Sequence, residues 1–123
     1  MKLMFLQQNI LRRLINKVKT FTYKNYKYCF FYASEYKDNG RLFLGIKNKT
    51  DGFIANVTIN VPEYPVTDYH TVFIKNYSEN EGMLDFLLEN QFLDSILAHL
   101  SYGDVVVPVV QLNVDKVQDY LGS

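Results

Sequence analysis

Few residues in this chain have side chains that could carry out catalysis or bind a metal. His70 and His99 are the two histidines, and Cys29 is the one cysteine. Zinc sites usually combine histidines at i, i+4 spacing or beside cysteines, and neither histidine has such a neighbour. Cys29 lies between Tyr28 and Phe30, a setting that predicts a buried, inert thiol rather than a nucleophile. The chain also lacks a glycine-rich phosphate loop and the G-x-S-x-G and H-E-x-x-H motifs. We therefore expect no catalysis, no metal site and no cofactor.

Carboxylates of the second half could form a binding surface. Residues 61–123 hold ten acids and two lysines, whereas residues 1–34 hold seven basic residues and no acid. An acidic surface could imitate phosphates and occupy the basic channel of a nuclease. A solvated helix face, with acids of the first turn placed favourably in the helix dipole, is the alternative explanation. The candidate partner-binding residues are Glu79, Glu81, Asp85, Glu89, Asp94 and Asp104.

Aromatic and basic residues alternate in the stretch "VKTFTYKNYKYCFFYASEY", residues 18–36. Rings that stack on bases, together with lysines that contact phosphates, are typical of single-stranded nucleic-acid binding. The candidate residues for this second function are Lys17, Lys19, Tyr23, Lys24, Tyr26, Lys27 and Tyr28.

The same stretch also fits the interior of a sheet. Between residues 26 and 36 the even-numbered and the odd-numbered positions are both mostly apolar. Such a strand is expected to have cover on each face, so we interpret it as the hydrophobic centre of a sheet. If the even-numbered face is not covered within one chain, we expect a partner to bind there.

Period-two patterns predict the strands that would position these residues. Tight turns at Asn39-Gly40 and Asp51-Gly52 should join consecutive strands. In the strand predicted over 53–61, Phe53 and Val57 should lie on the covered face, and Thr58 should lie on the more solvent-exposed face. Pro108 should restrict the last strand to an edge of the sheet. The pattern predicts an α+β fold with one antiparallel meander sheet of about five to six strands, one main helix and short terminal helices.

Capping signals predict the helices. Ser78 and Glu81 have the form of a capping box, which predicts a helix over residues 79–90. Asn113 should cap a final short helix, whereas residues 92–102 fit either a helix or a strand. Apolar residues at helical spacing predict a basic amphipathic helix or extension over residues 1–17. We assign residues 18–123 to a single α+β domain.

Composition limits the class of protein. The formal net charge is zero and 48% of residues are hydrophobic, which suits one globular domain. Cys29 cannot form an intramolecular disulfide, and this favours a reducing compartment. We see neither a signal peptide nor a run of apolar residues long enough to span a bilayer. These features favour the cytoplasm.

Short motifs resemble those of a known group of proteins. The motifs are Asn39-Gly40-Arg41-Leu42, then Asp51-Gly52 followed by Ala55, Val57, Thr58, Ile59, Asn60, Val61 and Pro62, and then Phe86-Leu87-Leu88-Glu89-Asn90. This pattern resembles a family of small proteins of unknown function carried by phages and integrative conjugative elements. One departure is the segment 95–101, which is mostly apolar here where the family has a Thr-Gly-Arg-rich loop.

The resemblance implies a setting in a mobile element, where small proteins often bind and block host defence enzymes. We therefore expect a stoichiometric inhibitor of a host defence nuclease, of the anti-CRISPR or anti-restriction type, acting in the bacterial cytosol. A homodimer formed through the amino-terminal helix or the aromatic sheet face is a further expectation.

Overall fold

The computed structural model describes residues 18–122, and the helix predicted over residues 1–17 lies outside them. Within this range eight strands form two antiparallel four-stranded sheets. The first sheet has the order β1-β2-β3-β4, and the second has the order β5-β6-β8-β7. The strands are β1 Phe21–Tyr23, β2 Tyr26–Glu35, β3 Leu42–Asn48, β4 Gly52–Asn56, β5 Thr58–Ile59, β6 Thr71–Ile74, β7 Leu93–Tyr102 and β8 Val105–Leu112. A 3₁₀ helix Ser78–Asn80 and two α-helices, α1 Met83–Glu89 and α2 Val114–Asp119, complete the described fold.

The broad α+β prediction is confirmed, but the prediction of a single meander sheet is wrong. Only the first sheet joins its strands in sequence order. Two of its turns use glycines at positive φ, 69° at Gly40 and 75° at Gly52, as the Asn-Gly and Asp-Gly pairs predicted. The local part of the meander therefore follows from turn chemistry.

The strand predicted over 53–61 divides at Val57, where the chain passes from the first sheet to the second. The Val57 amide donates to the Leu44 carbonyl at 2.9 Å, and the Val57 carbonyl accepts from the Lys75 amide at 2.9 Å. The predicted alternation of faces is wrong because of this change of sheet. Phe53 is 50% exposed, whereas the Thr58 side chain is buried and hydrogen-bonds the Tyr36 hydroxyl.

The last strand is not an edge strand, contrary to the expectation from Pro108. β8 lies between β6 and β7. Pairing with β6 covers only Val109, Val110 and Gln111, whereas Pro108 pairs with His99 on the β7 side. Proline is tolerated there because the ladder to β6 has already ended.

The helix predicted from a capping box differs in its start. Ser78 has φ 54° and begins the 3₁₀ helix, and α1 starts only after Gly82. Gly82 provides no side-chain cap, and the Leu84 amide donates to Asn76 Oδ1 at 2.9 Å instead. Asn80 is buried and donates to the carbonyls of Asn56 and Lys75. This tertiary contact holds the turn in place of the predicted cap.

The remaining helix and strand assignments are simpler. The ambiguous segment 92–102 forms strand β7. Asn113 caps α2 as predicted, since its Oδ1 accepts from the Lys116 amide at 3.2 Å.

The main core combines the inner faces of both sheets with the helices. Among its buried members are Phe31 and Ile46 from the first sheet, Val110 from the second, and Leu87 from α1.

Residues that follow α2 return to the first sheet. The Phe31 amide donates to the Tyr120 carbonyl at 2.7 Å, and the Gly122 amide donates to the Phe31 carbonyl at 2.9 Å.

Candidate nucleic-acid interface and acidic surface

The two faces of β2 have different environments. Cys29, Phe31 and Ala33 are buried in the core, whereas Phe30 and Tyr32 on the even-numbered face are only half-buried. Among residues 18–122 the even-numbered face, whose cover the sequence left open, is therefore only partly covered. We call the outward side of the first sheet the aromatic face and define it by Phe30, Tyr32, Tyr36, Phe43 and Phe53.

Ring contacts join most of the aromatic face into one layer. The Phe43 ring lies 6.3 Å from the Tyr32 ring, 5.7 Å from the Tyr36 ring and 6.4 Å from the Phe53 ring, measured between centroids. Phe43 and Phe53 are stacked, with 20° between their planes. Gly45 leaves room for this arrangement, because a Cβ atom there would lie 2.8 Å from Cε1 of Phe53. One edge of the layer is open, since Phe53 is 50% exposed.

Three lysines lie at one end of the aromatic face. The Lys47 ammonium is 3.9 Å from the centroid of the Tyr32 ring, a cation–π distance. Asn48 fixes the surrounding backbone, because its Nδ2 donates to the Lys27 carbonyl at 3.2 Å. Lys27, near the start of β2, and Lys49, on the turn after β3, are both exposed. We call Lys27, Lys47 and Lys49 the lysine end; Asp51 is the acid beside them.

The structure separates the residues of the predicted nucleic-acid site. Tyr26 and Tyr28 are 40% and 76% exposed and belong to the same strand as Lys27. Tyr23 is buried in the core and packs edge-to-face on Phe86, so it is not available to a ligand.

The other predicted basic residues have different positions. Lys24 donates to the Glu79 carbonyl at 2.7 Å, and Lys19 lies 3.9 Å from the Asp119 carboxylate. Lys17 lies outside the described residues. None of these three belongs to the lysine end.

Sequence reasoning missed Lys47, Lys49, Phe43 and Phe53 as members of a site. Phe43, Gly45 and Lys47 are two positions apart along β3, so they share a face of the strand. The pairing of Phe30 with Lys47 brings that face beside the even-numbered residues of β2. The two-residue spacing along β3 was the signal from which this face could have been predicted. It does not indicate which strand lies beside β3.

The predicted acidic residues do not form one continuous patch. Glu79 pairs with Lys75, and the hydrogen bond from that ammonium is the main cause that lowers the pKa of the Glu79 carboxyl. Glu81, Asp85 and Glu89 are exposed along and just before α1. Asp94 lies near the start of β7, and Asp104 lies beyond the end of that strand. A strand of this length separates the two by roughly 30 Å, at about 3.3 Å per residue.

Groups with catalytic or metal-binding side chains stay apart. Residues 18–122 contain no group of three or more His, Cys, Asp or Glu residues that could hold a metal ion. His70 Nδ1 lies 3.7 Å from Asp68, whereas His99 is exposed on β7. Burial raises the pKa of the Cys29 thiol, which makes it a weaker nucleophile at neutral pH.

The described helices are all too short or too polar to cross a bilayer.

Comparison of the chain with family models, curated proteins and solved structures finds no match. The likeness to the mobile-element family therefore rests on the motif residues alone. Arg41, one of those residues, has a structural contact, since its guanidinium donates to the carbonyls of Val61 and Tyr64 at 2.8 Å each.

Proposed function

We propose that the protein binds single-stranded nucleic acid on the aromatic face, with the lysine end contacting the phosphates. The observation that supports this most is the half-exposed Phe53 ring, which is stacked on Phe43. Exposed aromatic groups on a sheet face are rarer than exposed charges and therefore more informative. A base stacked on such a ring contributes about 1–3 kcal/mol. The protein acts here as a binding module without catalysis.

Charge favours a polyanion at this sheet. Residues 18–56, which form the first sheet, contain seven basic and three acidic residues. Residues 57–122, which include the second sheet, contain two basic and ten acidic residues. A polyanion approaching the molecule is therefore attracted to the first sheet and repelled by the second.

Fluorescence anisotropy with labelled single-stranded oligonucleotides at low salt tests this function. Phe53→Ala removes the exposed ring and should weaken binding about five- to 150-fold, as expected for the loss of one stacked base. Tyr102→Ala is the matched control, because Tyr102 is an aromatic residue 37% exposed on the second sheet. It should bind like the wild type. No binding by the wild type at tens of micromolar protein would exclude the function.

We propose a second candidate function on the resemblance and on the acidic helix. In this proposal the protein comes from a mobile element and inhibits a host defence nuclease stoichiometrically in the bacterial cytosol. Glu81, Asp85 and Glu89 support it, because each is exposed and none forms an ion pair with a cation among residues 18–122. Asp85 and Glu89 are an i, i+4 pair on α1 and repel each other, and a basic partner surface would relieve that repulsion.

The inhibitor proposal is tested with a purified defence nuclease and a triple charge reversal. Glu81→Lys, Asp85→Lys and Glu89→Lys together should abolish complex formation and inhibition, because the basic channel then meets a basic helix. Asp104→Lys is the control, since Asp104 lies at the far end of β7 from α1. Inhibition that survives the triple reversal excludes the acidic-surface mechanism.

A further inference from the structure

The hairpin formed by β1 and β2 contains a β-bulge. Phe21 pairs with Cys29, and Tyr23 pairs with Tyr26. One residue of β1 therefore lies opposite two residues of β2, at positions 27 and 28, and this count defines a bulge. Bulges redirect a side chain away from the regular alternation of the strand, and they are frequent beside functional sites.

The backbone at Tyr28 has an unfavourable conformation. Its φ is 57°, in the left-handed region that residues with a Cβ atom rarely adopt. Glycine is the usual residue at a left-handed bulge position. Among residues 18–122, Tyr28 is the one aromatic residue with a positive φ. Because a bulky side chain in this conformation lowers stability, its presence points to a role for the ring.

Other side chains hold the bulge in this conformation. Asn48 is buried, and its Nδ2 donates to the Lys27 carbonyl at 3.2 Å. Its Oδ1 accepts from the Asp51 amide at 2.6 Å, which connects the bulge to the turn after β3. The Cys29 thiol donates to the Tyr26 carbonyl at 3.4 Å. Strained conformations persist where the surrounding contacts fix them in this way.

The Tyr28 ring lies largely in solvent. It is 76% exposed, more than any other large hydrophobic or aromatic side chain among residues 18–122. Along β2 it lies between Lys27, a member of the lysine end, and Phe30, a member of the aromatic face. The strained residue therefore presents a free ring where these two surfaces meet.

We infer that the bulge positions Tyr28 as a second stacking site for single-stranded nucleic acid, in addition to Phe53. The inference rests on the proposed nucleic-acid function and adds a residue to that site. A base stacks on the exposed ring, while the neighbouring lysines contact the phosphates on either side of that base. The strain at the backbone is the stability that the chain gives up to place the ring there.

The spacing of the two rings defines the class of ligand. Phe30, Lys47 and Phe53 form a row across three strands, so Phe53 lies about 10 Å from Phe30 at about 4.8 Å per strand. Tyr28 is two residues further along β2, about 7 Å away. The Cα atoms of Tyr28 and Phe53 are therefore about 12 Å apart. Stacked nucleotides advance about 3.4 Å each, so a ligand that reaches both rings is an oligonucleotide of at least about four nucleotides.

Fluorescence anisotropy with a labelled oligothymidylate of about ten nucleotides, within the usual site sizes, tests the role of the ring. Tyr28→Ala and Tyr28→Gly should each weaken binding about five- to 150-fold, as expected for the loss of one stacked base. Tyr28→Phe keeps the ring and should bind like the wild type. Tyr102→Ala, on the second sheet, is the control for loss of an exposed tyrosine and should also bind like the wild type.

Thermal unfolding without nucleic acid tests the strain. Tyr28→Ala should have a Tm close to that of the wild type, because the exposed ring contributes little packing. Tyr28→Gly should unfold a few degrees above Tyr28→Ala, since glycine adopts a positive φ without a Cβ clash. Equal Tm values for these two variants, or a Tyr28→Ala variant that unfolds well below the wild type, would overturn the inference.

Phe53→Ala distinguishes this inference from the function on which it rests. If Phe53→Ala weakens binding while Tyr28→Ala and Tyr28→Gly bind like the wild type, the second stacking site is excluded and the proposed function stands. If the wild type does not bind the oligothymidylate at all, both are excluded.

Discussion

Gly45 determines where the Phe53 ring lies. A Cβ atom at position 45 would be 2.8 Å from Cε1 of Phe53 and 3.3 Å from the Ala55 carbonyl oxygen. We therefore predict that Gly45→Ala lowers the free energy of unfolding by about 1–3 kcal/mol, as overpacking does. Urea denaturation measures this loss.

A double-mutant cycle separates the ring contact from the backbone contact. In a Phe53→Ala background the ring is absent, so Gly45→Ala should cost less there than in the wild type. An equal cost in both backgrounds would contradict the role of Gly45 as the residue that seats the ring.

Cys29 illustrates how burial controls reactivity at one residue. Its side chain is fully buried, its Sγ donates to the Tyr26 carbonyl at 3.4 Å, and burial raises the pKa of the thiol. A raised pKa means a smaller thiolate fraction at any given pH below it. We predict that a disulfide reagent at pH 8 labels the folded protein far more slowly than the protein unfolded in guanidinium. Equal rates in the two states would contradict the buried position.

At the scale of elements, Asn80 connects the 3₁₀ helix to the junction between the sheets. Its side chain donates to the carbonyls of Asn56, which precedes Val57, and of Lys75, whose amide donates to the Val57 carbonyl. We predict that Asn80→Ala lowers the free energy of unfolding by about 1–3 kcal/mol, because a buried side chain is removed and two part-buried carbonyls lose their donor. Thermal and urea unfolding measure the change. Glu81→Ala, an exposed neighbour in the same turn, should change stability by less than about 0.5 kcal/mol.

Local signals in the sequence predicted the elements that depend on local chemistry. Asn39-Gly40 and Asp51-Gly52 fix their turns because the residues themselves favour positive φ. Asn113 caps α2 through a contact three residues away. The division at Val57, by contrast, depends on contacts with Leu44 and Lys75, and no pattern in a single segment encodes these partners.

The candidate site was predictable to a similar extent. Tyr26, Lys27 and Tyr28 are consecutive, so their alternation is visible in one strand. Phe53 and Lys47 reach the aromatic face through the register of three strands, which is a property of the folded sheet. The segment 92–102 could not be assigned from the sequence, because its apolar residues fit both the helical period and the strand period. In the folded protein it is a strand, because it pairs with β8.

At the scale of the whole molecule, the two sheets differ in charge. The excess of basic residues in 18–56 and of acidic residues in 57–122 makes binding of a polyanion dependent on salt. If Lys27, Lys47 and Lys49 each neutralise one phosphate, log K should fall with log salt with a slope of about −2, at about 0.7 per contact for single strands.

Variants on the two sheets test this partition of charge. Lys49→Ala should make the slope shallower by about 0.7, because one phosphate contact is lost. Glu81→Gln changes a charge that is part of neither the aromatic face nor the lysine end, and it should leave the slope unchanged in an anisotropy titration. A slope that Lys49→Ala does not alter would remove the lysine end from the interface.

The return of residues 120–122 to β2 has a consequence for synthesis of the chain. Leu121 forms a parallel bridge with Phe31, and Gly122 lies against the Phe30 ring. During translation, β2 emerges from the ribosome long before Leu121 does. During that interval the Phe31 main chain has no partner from the carboxyl-terminal segment, and the part of β2 that follows its pairing with β1 is open on that side to chaperones or to other nascent chains. The last described residues therefore determine when the first sheet is complete.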